Sequence, residues 1–411
     1  MVCCVGRANW LKFSGPNFRQ ENLPLLPDLS LRADLTSRVI RRGGLLLSCL
    51  ALLAACGPAS EPILIGWGGG PLNDSTVVPS LHTARLAVEE VNLSGGINGR
   101  PLRLVVLEDG GEADSAMRVA SMLVDSGVVA VIGHIYSSTT LASADIYNDS
   151  RNPVLQISPS ATSPIISQAG DFTFRVCPSD LQYGGALARF TRNNLGLSRG
   201  IILYVNNDYG RGIRRTFSEQ FVKLGGTVAE IDPFLEEAPE VGPYLDRVAR
   251  DRDIQFIIVA ANIGEGTVVL KQIRDRNIRL PILGGDGFDG MEDKGEMAEG
   301  IYSSTVYLPT LNTEANHKFL EAYRARYPLG NPVDYSAAAS YDIVYLLRDA
   351  LLKAGTDRRA LRDAVADIGR GAPPFQGLTG AIAFDENGDV PLLNIQIGVV
   401  RNGTLRPAEA R

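Results

Sequence analysis

Cysteine and histidine are scarce in this 411-residue chain: five Cys, at 3, 4, 49, 56 and 177, and three His, at 82, 134 and 317. No His/Cys cluster at metal-ligand spacing can be drawn from these positions, so neither a metal nor a cofactor is expected. A dominant charge is also missing. Lys plus Arg is 40 against Asp plus Glu 46, a formal net charge of -6, so nothing supplies the basic footprint with which nucleic-acid binders neutralise phosphates. Beyond residue 55 there is no apolar run long enough to span a bilayer. The chain also lacks a G-x-S-x-G elbow, an H-E-x-x-H pair and a phosphate loop ending in Gly-Lys-Ser/Thr, so it is not expected to be an enzyme. Gly66-Trp67-Gly68-Gly69-Gly70 imitates a dinucleotide loop, but Pro71 replaces the spacing required. What is present is ordinary globular composition, 45% hydrophobic and 21% charged with 43 Gly and 23 Pro. The length supports two domains.

Residues 38–56 read RVIRRGGLLLSCLALLAAC: Arg38, Arg41 and Arg42, then an apolar run over 45–55, the build of a secretory signal peptide. The run ends in Leu53-Ala54-Ala55-Cys56, which resembles the bacterial lipobox. That resemblance implies that 38–55 is removed and that Cys56 becomes the lipidated first residue, tethering an extracytoplasmic protein through a short linker over 56–61. Residues 1–37 precede the usual basic start and are read as a mis-called start or an extension, with no fold assigned. Residues 1–55 carry seven of the basic residues and three of the acidic ones, so the exported body is more acidic than the whole. It keeps only Cys56 and Cys177, and an acylated Cys56 cannot pair. No intramolecular disulfide is expected, and stability must come from core burial.

From residue 62 short apolar runs alternate with helical periodicity. Strands are expected over 63–66, 102–107, 128–133, 154–157 and 172–176, with helices over 81–91, 113–126 and 138–150 between them. A second series of similar grammar follows, with helices over 181–195, 211–224, 241–251 and 264–276 and strands over 200–205, 227–231, 256–260 and 282–284. Helices over 314–327, 336–354 and 358–368 and strands over 382–384 and 395–400 close the chain, with tight turns at Asn387-Gly388 and Asn402-Gly403. The expected fold is α/β, with two doubly wound parallel-sheet lobes joined by about three crossovers near 178, 308 and 393. The N-terminal lobe would comprise 62–178 and 309–393, and the C-terminal lobe 179–308 and 394–411.

In open parallel sheets, ligands sit beyond the carboxyl ends of strands. After the strand at 128–133 comes His134-Ile135-Tyr136-Ser137-Ser138-Thr139-Thr140, a hydroxyl cluster at a helix start, which either caps the helix or receives an anion. His134 is read as a packed residue. After 154–157 comes a second hydroxyl-rich turn, Ser158-Pro159-Ser160-Ala161-Thr162-Ser163-Pro164, and the two could converge on one small anion. In the second series, Asn206-Asn207-Asp208-Tyr209-Gly210-Arg211-Gly212 places an aromatic beside glycines read as flexible. Gly284-Gly285-Asp286-Gly287-Phe288 offers an Asp that either approaches an ammonium or makes an Asx turn. Asp385-Glu386-Asn387-Gly388-Asp389 hints at calcium, but its Gly is misplaced and no closing Glu follows, so a hairpin turn is expected.

The stretch AVEEVNLSGGINGRPLRLVVLEDGGEADSAMRVASMLVDSGVVAVIGHIYSSTTLASADIYNDSRNPVLQISPSATSP resembles the branched-chain amino acid binding proteins of bacterial ABC importers, which are type I periplasmic binding proteins. The SGGINGR and VIGHIYSSTTLA stretches carry most of the resemblance, and NDYGRG and GGDGFDG support it. The resemblance implies that Ser137, Ser160 and Thr162 hold the ligand α-carboxylate, that Tyr209 is the aromatic cleft residue, and that Asp286 meets the α-ammonium. It places Asn262 where members often carry an aromatic lid residue. The loop from Trp67 to Ser75, which would face the ligand side chain, is glycine-rich and shorter than usual. Tyr136 stands where some members have a disulfide Cys, and Asp286 replaces a longer Glu. The function expected is capture of an amino acid, branched-chain or otherwise aliphatic, by a monomeric lipoprotein that delivers it to an ABC permease and ATPase complex. The alternatives are a binder of urea, short amides or small carboxylates, and a ligand-sensing subunit of a signalling receptor.

Overall fold

The computed structural model describes residues 61–75 and 77–409; the signal segment and Cys56 lie outside these. Strand β1 (Ile63–Gly69) is apolar or glycine at every position and buried at all but Leu64, as a central strand covered on both faces must be. It pairs in parallel with β2 (Leu102–Glu108) on one side and β3 (Ala130–Gly133) on the other. Strands β4 (Leu155–Ser158) and β5 (Thr173–Arg175) extend the sheet to the order β2-β1-β3-β4-β5. β1 runs three residues beyond the expected strand, with Trp67, Gly68 and Gly69 opposite Val106, Leu107 and Glu108. The glycines that read as a loop are strand residues with no room for side chains. A Cβ on Gly68 would lie 3.0 Å from the His134 ring, and one on Gly69 2.5 Å from Ile135.

Helices α1 (Val77–Leu93), α2 (Ala113–Asp125) and α3 (Ser137–Tyr147) connect these strands. Three later helices, α8 (Glu314–Arg326), α9 (Tyr335–Ala354) and α10 (Arg358–Ala366), return to the same side of the molecule, α9 lying along α1. The α1–α9 seam is close because α9 buries Ala337, Ala338 and Ala339 there. Two buried hydroxyl bonds fix it: Ser80 with Ser340 at 2.7 Å, and Thr83 donating to the Ala337 carbonyl at 2.7 Å.

The second sheet has seven strands in the order β14-β13-β10-β9-β8-β6-β7: β6 (Arg199–Val205), β7 (Thr227–Phe234), β8 (Phe256–Ala260), β9 (Ile282–Gly284), β10 (Tyr302–Thr305), β13 (Gln396–Arg401) and β14 (Thr404–Pro407). Its helices are α4 (Asp180–Arg189), which runs into a π turn over Phe190–Asn194, α5 (Asp208–Lys223), α6 (Gly242–Val248) and α7 (Ile263–Asp275). The parallel core of this sheet, as expected from sequence, carries an antiparallel edge, where β13 runs antiparallel to β10 and β14 antiparallel to β13. The turn between β13 and β14 is Asn402-Gly403, with both residues at positive φ, 52° and 68°, the geometry that a two-residue hairpin favours and Asn-Gly tolerates. The strand expected over 382–384 contributes only Ile382 to β12 (Gly380–Ile382), which pairs with β11 (Phe375–Gly377) in a separate two-stranded hairpin. Strands β10 and β14 were not expected at all.

The chain thus leaves the first sheet after β5, departs from the second after β10, and rejoins it at β13. In each sheet the strand order reverses once, between β1 and β3 and between β6 and β8. The crevices beyond those carboxyl ends are where such folds place a ligand.

Candidate functional site

The loop after β3 is anchored by His134, fully buried, with Nδ1 2.5 Å from Asp109 Oδ2 and Nε2 3.1 Å from the Tyr147 hydroxyl. His134 is therefore a packed residue, and it fixes where α3 begins. The N-cap position of α3 is Tyr136, which makes no side-chain cap, so the first amides of the helix have no side-chain oxygen to receive them. The hydroxyl cluster does not fill that role. Thr139 and Thr140 turn back to donate to the carbonyls of Tyr136 and His134, each at 3.0 Å. Ser137 and Ser138 line a cavity instead. The Ser137 hydroxyl accepts from the Ser163 amide at 3.2 Å, which leaves its proton available to an acceptor. An uncapped helix start with a free hydroxyl proton is a site for an anion.

In the turn after β4, Ser160 lines the same cavity, and its hydroxyl donates to the Ile135 carbonyl at 2.7 Å, tying the two hydroxyl-rich turns together. Thr162 is fully buried and does not line the cavity. Five of the six expected ligand residues therefore meet in one cavity, and Thr162 stands behind it.

The opposite wall comes from the second sheet. Asn207 caps α5, accepting from the Gly210 amide at 3.0 Å, and holds Glu236 at 3.0 Å. Tyr209 follows in the first turn, its hydroxyl accepting from the Gly287 amide at 2.9 Å. The glycines around Asp286 serve this contact: a Cβ on Gly285 or Gly287 would lie 2.6 or 2.8 Å from the Tyr209 hydroxyl. The glycines of NDYGRG, read as flexible, are tightly packed helical positions, since a Cβ on Gly212 would collide with the buried Asp180 carboxylate. Asn262 caps α7 in a reciprocal box with Glu265, its amide nitrogen donating to Glu265 Oε1 at 3.1 Å. Its side chain is committed to the helix end, and burial pushes Glu265 up to about 7.

Asp286 is 2% exposed. Its Oδ2 accepts from the Tyr335 hydroxyl at 2.6 Å, while Oδ1 is buried without a hydrogen-bond partner. Burial raises this carboxyl to about 6, outweighing the Tyr335 bond, which pulls the other way. Tyr335 opens α9 and also lies 3.3 Å from the Ser160 carbonyl, so one hydroxyl bridges loops of the two sheets. Sequence reading missed Asp289, Asp334, Tyr335 and Ser336 as cleft residues. The helix over 336–354 was legible, but nothing local shows that its start enters the cleft. The cavity measures about 50 Å³ and is lined by four carboxylates, Glu236, Asp286, Asp289 and Asp334, and by no Lys, Arg or His. Among the described residues no three His, Cys, Asp or Glu side chains are placed to hold a metal ion. The Asp385 stretch forms a turn, with Asp385 accepting from the amides of Asn387 and Asp389 and Asp389 paired to buried Arg175 at 2.7 Å.

A family model described as periplasmic binding protein matches residues 69–404. A leucine-, isoleucine-, valine-, threonine- and alanine-binding protein from Pseudomonas aeruginosa is 27% identical over 311 residues, covering 75% of this chain and 81% of its own length. Among solved structures, the branched-chain amino acid transporter substrate binding protein from Streptococcus pneumoniae in complex with isoleucine is 27% identical. It superposes with a TM-score of 0.76 over 85% of this chain and 99% of its own. An ABC transporter substrate-binding protein from Desulfitobacterium hafniense in complex with Leu, also 27% identical, gives 0.72 over 85% and 100%.

Proposed function

The chain belongs to the periplasmic binding protein family, and from that premise we propose that it captures an α-amino acid between its two lobes and delivers it to the permease of an ABC importer. The observation that carries this reading is the pairing of opposite demands in one cavity. The uncapped start of α3 asks for an anion, and the unpartnered Oδ1 of Asp286 asks for a cation. An amino acid satisfies both, and burying a zwitterion is tolerable only when both charges are matched. Ser137 and the first amides of α3 receive the carboxylate, Asp286 receives the ammonium, and Tyr209 closes over the bound molecule. Ser160 holds the turn that presents Ser137, Thr162 supports that turn from behind, and Asn262 shapes the rim. The amino acids for which the similar proteins are named, from alanine and threonine to leucine and isoleucine, mark out the class.

The chain's three passages near 178, 308 and 393 serve as the hinge between a lobe of 62–178 with 309–393 and a lobe of 179–308 with 394–411. A ligand touching both lobes only when they are closed shifts the population to that state, and the permease reads the result. The protein works outside the cytoplasm as a monomer, tethered by lipid on Cys56 after removal of 38–55. No helix among the described residues is long and apolar enough to cross a membrane.

Thermal melting against the twenty amino acids, urea, short amides and small carboxylates tests the central claim. A ligand that binds only the folded form adds about 2.7 kcal/mol at a hundredfold excess over its dissociation constant. The expected result is a shift with an amino acid that disappears in Asp286→Ala. A response to urea, amides or carboxylates alone would refute it. The tether is tested separately, since a Cys56→Ser protein should leave the membrane fraction.

A further inference from the structure

Much of the cavity lining is poorly suited to a branched hydrocarbon. Beyond the groups assigned to the ligand's two charges, Ile135 and Ile263 offer apolar side chains there, while Glu236, Asp289, Asp334 and Ser336 offer oxygen. Three of the donors among the neighbouring side chains are already engaged. Asn207 donates to Glu236, Asn262 to Glu265, and the Tyr136 hydroxyl to Asp74 at 3.1 Å. Among the carboxylates, Asp289 Oδ2 already accepts from Thr305 and Asp334 Oδ1 from the Ala337 amide. Ser336, the second residue of α9, lines the cavity at 5% exposure, and its hydroxyl has no hydrogen-bond partner. A ligand methyl placed against these oxygens would strip their water and return nothing, whereas a ligand hydroxyl would replace it. The cavity is small, about 50 Å³, which favours a compact ligand and leaves chemistry rather than size to choose between side chains of equal shape.

We propose that this cleft selects a compact amino acid whose side chain donates a hydrogen bond, threonine over valine, and that Ser336 sets the preference. The inference rests on the amino-acid reading above and narrows it. Threonine and valine have nearly the same shape, so their ratio isolates the hydroxyl. A hydrophobic pocket distinguishes such isosteres weakly, whereas a site with polar groups to satisfy rejects the analogue that lacks the partner.

The experiment is isothermal titration of the intact protein with threonine, valine, alanine and leucine, repeated on Ser336→Ala after circular dichroism has confirmed its fold. Threonine is expected to bind at least tenfold tighter than valine, and Ser336→Ala to bring that ratio toward one. Valine or leucine binding as tightly as threonine would overturn the inference and leave amino-acid capture standing. A ratio unchanged in Ser336→Ala would remove Ser336 from the account. Heat from none of the amino acids would overturn amino-acid capture itself, and the inference with it.

Discussion

At the scale of single residues, the cleft sets function against stability. Asp286 is buried with one oxygen unpartnered, and its carboxyl rises from near 3.8 to about 6 because burial disfavours the charge. A carboxyl whose pKa is raised by folding favours the folded state fully below its unfolded value, and that contribution is lost as pH climbs through about 6. Asp286→Asn removes the loss. The variant should melt close to the native protein at pH 4 and progressively above it toward pH 8, as followed by calorimetry without ligand. A variant less stable than native at pH 8 would contradict this account. Amino-acid affinity should run the other way, weakening as pH falls below 6 and the carboxylate protonates. Gly212 poses a different contest. Alanine would ordinarily favour its helix by about 1 kcal/mol, but the added Cβ collides with the buried Asp180 carboxylate. Overpacking of this kind costs about 1–3 kcal/mol, so Gly212→Ala should lower the denaturant midpoint despite its better propensity.

Among the elements, helix starts are decisive. Asn207, Asp334, Asp357 and Thr313 cap their helices by accepting backbone amides, while α3 begins at Tyr136 with no such oxygen. Ser137→Ala should therefore weaken amino-acid binding, and it should also cost about 1–3 kcal/mol of stability because the buried Ser163 amide loses its acceptor. A hydrogen bond to a charged group is worth about 1.5–3 kcal/mol, roughly ten- to a hundredfold in affinity. Asp334 shows the contrasting case, accepting from the Ala337 amide at 2.8 Å at the head of α9. Asp334→Ala should lose about 1 kcal/mol of stability, and Asp334→Asn, which also caps, should lose little. Chemical denaturation of the two variants separates capping from charge.

For the whole molecule, the cleft draws on loops of two sheets, and Tyr335 bridges them by touching Asp286 and Ser160. A ligand held from both sides adds contacts that exist only when the sheets' loops are close, so saturating amino acid should reduce the radius of gyration in small-angle scattering. Asp286→Ala should abolish that change. An identical scattering profile with and without a ligand that demonstrably binds would argue against hinge closure.

Local chemistry made much of this protein legible from its sequence. The buried strands beyond β1 and the amphipathic helices follow from periodicity, the β13–β14 turn from Asn402-Gly403, and the strand ends carrying Ser137, Tyr209 and Asp286 from where apolar runs stop. What escaped depended on neighbours distant in sequence. β10 reads Tyr-Ser-Ser-Thr, and two of its buried polar residues find partners that no window of sequence displays, Thr305 reaching Asp289 and Ser303 the Gly285 carbonyl. The extension of β1 through Gly68 and Gly69 depends on His134 and Ile135 filling the space above them. Thr162 and Ser160 look alike in sequence, yet only Ser160 lines the cleft, tied to the Ile135 carbonyl, while Thr162 is fully buried away from it. The placement of Tyr335 and Ser336 there depends on the chain's return to the first sheet, a long-range event fixed by the α1–α9 seam. Sequence determined the elements and the residue types at their ends, because these depend on neighbours within a few residues. Only the tertiary structure decided which of those ends meet, because that depends on which buried surfaces pack together.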